Sequence, residues 1–175
     1  MWIDPDSAFL YVGWRHDCDP WWFNVFCKRL GTTDVSVLEI FKKNVEDLRR
    51  LMQEGRTPAI WIIPGDVREI DEIVPKDRFD FIFWDHGPEH ISQEDLETTH
   101  RKLLDCTTNV LMYSCPWGVW EQGPEDHNEH EIHRNSIYEE TFQRLDASVI
   151  DKTGAPNVEN RGELVAYWFK RARTT

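Results

Sequence analysis

An α/β fold with a mostly parallel sheet, covered by helices on both faces, is what the 175-residue sequence predicts. Two observations predict it. Short apolar runs alternate with amphipathic stretches along the whole chain. The apolar runs are also hydrophobic almost throughout, as strands buried on both faces must be. A third feature, Gly, Pro or acidic residues at the ends of the runs, punctuates each junction.

The elements follow in order. Ala8–Gly13, "AFLYVG", reads as a buried strand ending in Gly. Asp19 is a suitable N-cap and Pro20 a suitable first residue for a helix whose Trp22, Phe26 and Leu30 share a face, with Gly31 as terminator. Asp34–Ile40 forms a second strand that ends near Glu39. In the next helix Val45, Leu48 and Met52 share a face, and Gly55 follows. A third strand, "AIWIIPGDV", runs into a Pro-Gly turn at Asp66, and Phe79–Asp85 is a fourth. Ser92 caps a helix that carries Asp95 at its third position, in a near capping-box arrangement. "NVLMYSC" is a fifth strand, closed by Pro116. A helix with Tyr138, Phe142 and Leu145 on one face precedes a last strand, "ELVAYWFKRA", with a short strand at "ASVID" before it. The sheet so assembled has about six or seven strands.

Composition narrows the function. The formal net charge is −12, which argues against a broad basic face for nucleic acid. No apolar run approaches the roughly 18 residues of a membrane span. The N-terminus carries acidic residues where a signal peptide needs basic ones. Cys18, Cys27, Cys106 and Cys115 form no CxxC pair and read as reduced, mostly buried thiols. A single cytoplasmic domain over residues 1–175 is expected. The expected partner is a small-molecule substrate, with neither nucleic acid nor membrane, and a homodimer is left open.

In a parallel α/β sheet, ligands bind at the carboxyl ends of the strands. That rule selects Gly13 to Asp19, Glu39 to Phe41, Gly65 to Val67, Trp84 to His90 and Cys115 to Gln122. Gly13 allows a ligand's backbone to approach closely. A carboxylate at Glu39 can accept both hydrogen bonds of a ribose diol. Asp66 either binds an adenine edge or caps the short helix at "REIDEI". The stretch "FDFIFWDHGPEHI" ends in Asp85, His86, Glu89 and His90, all candidate acid–base groups at the sheet edge. Phe83 and Trp84 read first as core residues.

The order "LYVG", "VSVLEI", "PGDVREI", "FDFIFWDHGPEHI", "VLMYSCPWG" and "AYWFKR" resembles the class I S-adenosylmethionine-dependent methyltransferases over nearly the whole chain. The resemblance implies a Rossmann-like, mostly parallel seven-stranded sheet whose last strand is antiparallel and inserted beside the fifth. It implies S-adenosylmethionine as cofactor. Gly13 would hold the methionine part, Glu39 the ribose, and Asp66 the adenine amine with the Val67 amide on the ring. Trp84, Asp85 and His86 would face the sulfonium and the acceptor, with His86 as base or orienting group and His90 nearer the start of the next helix. One motif departs from the family: Tyr11 replaces its acid, and Arg15 and Asp17 stand where further glycines would be. Arg15 could pair with the cofactor's carboxylate.

The stretch "EDHNEHEIHR" places His127, His130 and His133 three apart. On a helix two of them could share a metal, but the spacing matches no known signature, so no metal site is expected there. Residues 116–136 read instead as a lid or substrate-access insertion. Three functions follow from these readings: methyl transfer to a small molecule, a non-catalytic binding or assembly module of the same fold, and a metal-dependent hydrolase using the histidines.

Overall fold

The computed structural model describes residues 6–14, 20–124, 127–154 and 162–170. Arg15, Asp17, Cys18 and the Asp19 cap lie outside them.

Seven strands form one sheet: β1 (Phe9–Val12), β2 (Val35–Glu39), β3 (Trp61–Pro64), β4 (Phe79–Asp85), β5 (Thr107–Pro116), β6 (Val149–Thr153) and β7 (Glu163–Phe169). Their order is β3-β2-β1-β4-β5-β7-β6. The first five are mutually parallel, and β7 is antiparallel to both neighbours, inserted beside β5 as expected. Among the described residues five α-helices connect them: α1 (Pro20–Leu30), α2 (Lys42–Gln53), α3 (Ile70–Ile73), α4 (Gln93–Cys106) and α5 (Glu139–Arg144).

Alternation along β1 divides the core into two layers, because successive strand side chains point to opposite faces. Phe9 and Tyr11 join Phe23 and Cys27 of α1 and Leu48 and Leu51 of α2. Leu10 and Val12 join Ile70 of α3, Leu96 and Leu103 of α4, and Phe142 of α5. The central strands β1 and β2 are buried along their whole length. The edge strands β3 and β6 are not: Trp61 is 72% exposed.

Three helix faces differ from the sequence pattern. In α1 the side chains of residues 20–22, Trp22 among them, lie outside those described; of the rest, Phe23 and Cys27 are buried, while Phe26 and Leu30 are partly buried against the same cluster. In α2 it is Leu51 rather than Met52 that is buried with Val45 and Leu48, and Asn44 is buried too. Tyr138 is the N-cap of α5 and is exposed, so Phe142 and Thr141 anchor that helix instead. A stripe's centre shifts by one residue when the sheet beneath it, not helix symmetry, decides which side chains are covered. Ser92 does cap α4, its Oγ accepting from Asp95 N at 3.1 Å. Cys27, Cys106 and Cys115 are free and buried.

Candidate active site

The carboxyl ends of β1, β2 and β4 open into a cavity of about 440 Å³, within the range of small-molecule pockets. Gly13, Glu39, Asp66, Val67, Trp84, Asp85, His86 and His90 line it; of the other candidates, Glu89 does not line this cavity and Arg15 lies outside the described residues.

Gly13 sits just past β1 with φ +86°, a conformation that other residues adopt only under strain. A Cβ there would stand 3.3 Å from the Asp85 carbonyl oxygen. The next residue, Trp14, is buried, and its indole Nε1 has no hydrogen-bond partner among the described residues.

Glu39 ends β2 and is only 5% exposed. Its Oε2 accepts from Trp14 N at 2.6 Å and its Oε1 from Phe41 N at 2.7 Å. Asn44 Nδ2 donates to the Trp14 carbonyl at 2.6 Å, which fixes the turn from the other side. Burial raises the Glu39 pKa to about 7 despite these bonds, which favour the ionised form. Each oxygen still has a lone pair for a hydroxyl donor.

Asp66 both lines the cavity and caps the short 3-10 turn Val67–Glu69. Its Oδ1 accepts from Arg68 N and its Oδ2 from Arg68 Nε, each at 2.9 Å. Burial alone would raise its pKa, but the Arg68 contacts outweigh it and hold the carboxylate below its ordinary range. The capping role is therefore real, and any adenine contact must share the carboxylate with Arg68.

Asp85 ends β4. Its Oδ2 accepts from the Tyr11 hydroxyl at 2.6 Å. This gives the departure in the first motif a local partner: an acid at position 11 would confront Asp85 as a like charge, whereas Tyr11 donates to it. Burial still raises the Asp85 pKa, against the opposing pull of His86 and the Tyr11 bond. Trp84 is buried edge-on against Tyr113 at a ring separation of 5.2 Å. It serves the core and presents an edge to the cavity.

His86 has φ +46°, unusual for a residue with a Cβ and of a kind that clusters at functional sites. Its Nε2 lies 2.8 Å from Glu163 Oε1 at the start of β7, and its Nδ1 lies 3.7 Å from Glu89 Oε1. Partial burial would lower its pKa, but the Glu163 hydrogen bond and the Glu89 and Asp85 charges prevail and raise it to about 9. A histidine serving as base would need to titrate near neutrality. The acidic surroundings instead favour the imidazolium form of His86, a poor base and a donor to an anionic or polar acceptor.

His86 and His90 also line a second cavity of about 340 Å³, together with Glu89, Trp120, His133 and Glu163. The described residues of the 116–136 segment border both cavities. Glu129, His130 and Glu131 face the first, and Trp120, Gln122 and His133 the second. The Glu89 carbonyl holds this segment, accepting from Arg134 N at 2.8 Å and Asn135 N at 3.1 Å. The three histidines of the segment share no helix face, because among the described residues only Glu129–Glu131 is helical, in a single 3-10 turn. Glu163 and Arg68 carry no site role in the sequence pattern, and Asp95 enters it only as part of a helix cap. The signal for Glu163 is the acid that opens β7, whose antiparallel start lies beside the carboxyl end of β5.

No protein-family model and no curated protein sequence matches the chain. Solved structures do. A SAM-dependent methyltransferase from Archaeoglobus fulgidus superposes with a TM-score of 0.60 at 13% identity, over 95% of this chain and 88% of that one. Magnesium protoporphyrin IX methyltransferase from Synechocystis PCC 6803, with SAH bound, gives 0.64 at 12% identity over 95% and 75%. A Rhodobacter sphaeroides protein whose name proposes a Zn-dependent alcohol dehydrogenase gives 0.66 at 12% identity over 97% and 86%. The fold is that of the class I SAM-dependent methyltransferases.

Proposed function

We propose that this chain binds S-adenosylmethionine in the cavity at the ends of β1, β2 and β4 and transfers its methyl group to a small-molecule acceptor. One observation carries the reading. A left-handed glycine after β1, a buried acid ending β2, an acid after β3 and a polar loop after β4 converge on one cavity. The residues fit the group. Gly13 leaves a cradle that a Cβ would narrow, and the buried Trp14 indole N–H is unpartnered among the described residues.

In this reading Glu39 accepts from the ribose hydroxyls while Trp14 N and Phe41 N hold it in place. Asp66 and the Val67 amide receive the adenine, beside Arg68. Trp84 closes the floor, and Arg15 would face the cofactor's carboxylate. When bound, S-adenosylmethionine supplies an electrophilic methyl on a sulfonium that is already a good leaving group. Protein groups then need only align the acceptor and, for a hydroxyl or amine, take up its proton. The His86 imidazolium orients the acceptor, and Asp85, its pKa raised by burial, is placed to receive the proton. His90 lines the acceptor side. The chain acts as one domain over residues 1–175, with 116–136 as the lid over both cavities. Among the described residues no helix is long and apolar enough to cross a membrane.

Calorimetry with S-adenosylhomocysteine on the purified protein is the test. Binding is expected, and Glu39→Ala should weaken it by about 2–4 kcal/mol, the value of two hydrogen bonds to a charged acceptor. Equal affinity in the variant would remove Glu39 from the cofactor site. A second reading, a non-catalytic module of the same fold, draws support from the internal partners of Glu39 and Asp66. Absence of any S-adenosylhomocysteine binding by the wild-type protein would favour it.

A further inference from the structure

We propose that Glu89, His90 and His133 form a binding site for a divalent first-row transition metal of the zinc type, facing the second cavity. One ligand atom from each of the three residues lies within 4.8 Å of the other two. Glu89 and His90 share the 3-10 turn Pro88–His90 after β4. His133 comes from the loop after the Glu129–Glu131 turn, so the site joins two segments that are remote in sequence.

The independent observation is Glu89. It is 2% exposed, lines the second cavity, and has no hydrogen-bond partner for either carboxylate oxygen among the described residues. The nearest imidazole nitrogens, His86 Nδ1 at 3.7 Å and His90 Nε2 at 3.9 Å, are beyond hydrogen-bond reach. His86 is the nearest cationic group, but at 3.7 Å it makes no hydrogen bond, so a directly ligated metal would satisfy a carboxylate whose burial is costly. His133 is already oriented for ligation. Its Nδ1 lies 2.6 Å from the Trp120 carbonyl oxygen, which can only accept, so the proton sits on Nδ1 and the lone pair on Nε2. Metal-bound histidines are commonly held by such an outer contact. The His90 and His133 rings meet edge to face at 4.8 Å. Glu131 Oε2, 4.0 Å from His90 Nε2, adds negative charge on the outer side. The two backbone bonds to the Glu89 carbonyl lock the ligand-bearing segments together.

Two imidazoles and a carboxylate suit zinc and its neighbours better than magnesium or calcium. Metal–ligand bonds of about 2.0–2.1 Å require tetrahedral ligand atoms roughly 3.3 Å apart, so the side chains must close inward by rotamer adjustment. Three protein ligands leave a coordination position open. It faces the cavity, where an oxygen, nitrogen or thiolate donor of a small molecule could fill it. The site does not depend on the methyl-transfer reading.

The test uses the full chain stripped with a chelator and titrated with zinc chloride by calorimetry, with cobalt(II) absorption as a spectroscopic check of coordination. One zinc per chain is expected. Glu89→Gln and His133→Ala should each weaken it by at least about tenfold with circular dichroism unchanged, and His127→Ala, an exposed neighbour, should leave it as it was. Absence of zinc binding, wild-type affinity in Glu89→Gln or His133→Ala, or equal weakening in His127→Ala would overturn the site. Should Glu89→Gln fail to fold, His133→Ala, altered only in a surface loop, decides. S-adenosylhomocysteine titrated into zinc-free and zinc-loaded samples reports separately on the methyl-donor cavity, so either reading can fail alone.

Discussion

Glu39 shows how much one buried carboxyl can control. Desolvation raises its pKa from 4.5 to about 7, so near neutrality it is a mixture of both forms. Ribose hydroxyls are donors and favour the ionised form, which lowers the pKa in the complex and releases a proton. S-adenosylhomocysteine affinity should therefore rise with pH up to about 7 and then level. Calorimetry in two buffers of different ionisation heat should show proton release in the wild type and much less in Glu39→Gln. Uptake of a proton instead would mean that Glu39 stays protonated and donates to the ligand. Tyr11 and Asp85 make a similar point. The pair lies 74 residues apart in sequence and shares one 2.6 Å bond, so position 11 can be understood only with its partner.

The turn after β4 works as a unit because Trp84 folds back over Gly87. A Cβ built at Gly87 would overlap the Trp84 indole at Nε1, although the backbone there, at φ −131°, suits any residue. Gly87→Ala should thus act through crowding alone, costing about 1–3 kcal/mol. Urea unfolding measures this directly, and a variant as stable as wild type would show that the indole can swing aside at no cost. The same crowding would tilt the loop carrying His86, Glu89 and His90, so the substitution should weaken zinc binding as well. The edge elements follow a different logic. β3 and β6 carry exposed residues as the outer strands of the sheet among the described residues, and their role is to complete the sheet that holds the Glu39 and Glu163 ends in place.

Across the whole molecule two buried groups pull stability in opposite directions with pH. His100 is 3% exposed, lies 3.0 Å from the Tyr113 hydroxyl, and is driven by burial from 6.5 to about 4. A histidine with a lowered folded pKa binds fewer protons folded than unfolded. Its stabilising effect is present above pH 6.5 and is lost as pH falls through 4, by about 3 kcal/mol. Glu39 has the opposite sign: its folded pKa is raised, so stability is lost as pH rises from 4.5 through 7, by a similar amount. The two slopes oppose each other between pH 4.5 and 6.5. His100→Leu should remove the first, so that stability measured by chemical unfolding no longer falls between pH 6.5 and 4 as steeply as in the wild type. An unchanged slope would assign the acid limb to other groups.

Element types, their order and the carboxyl-edge set were legible in the sequence. Periodicity and turn residues are local signals, and a parallel sheet places every strand end on one side. Gly13, Glu39, Asp66, Asp85 and His86 could therefore be selected without coordinates. What each of these groups touches could not. Arg68 on Asp66, Glu163 on His86 from 77 residues away, the burial of Glu89 and the approach of His133 to His90 were decided by the tertiary structure. The physical reason is that secondary structure follows from neighbours along the chain. Protonation, pairing and ligation depend instead on which remote side chains share a desolvated space, and only the packing of β7 and residues 116–136 against the β4 turn creates that space.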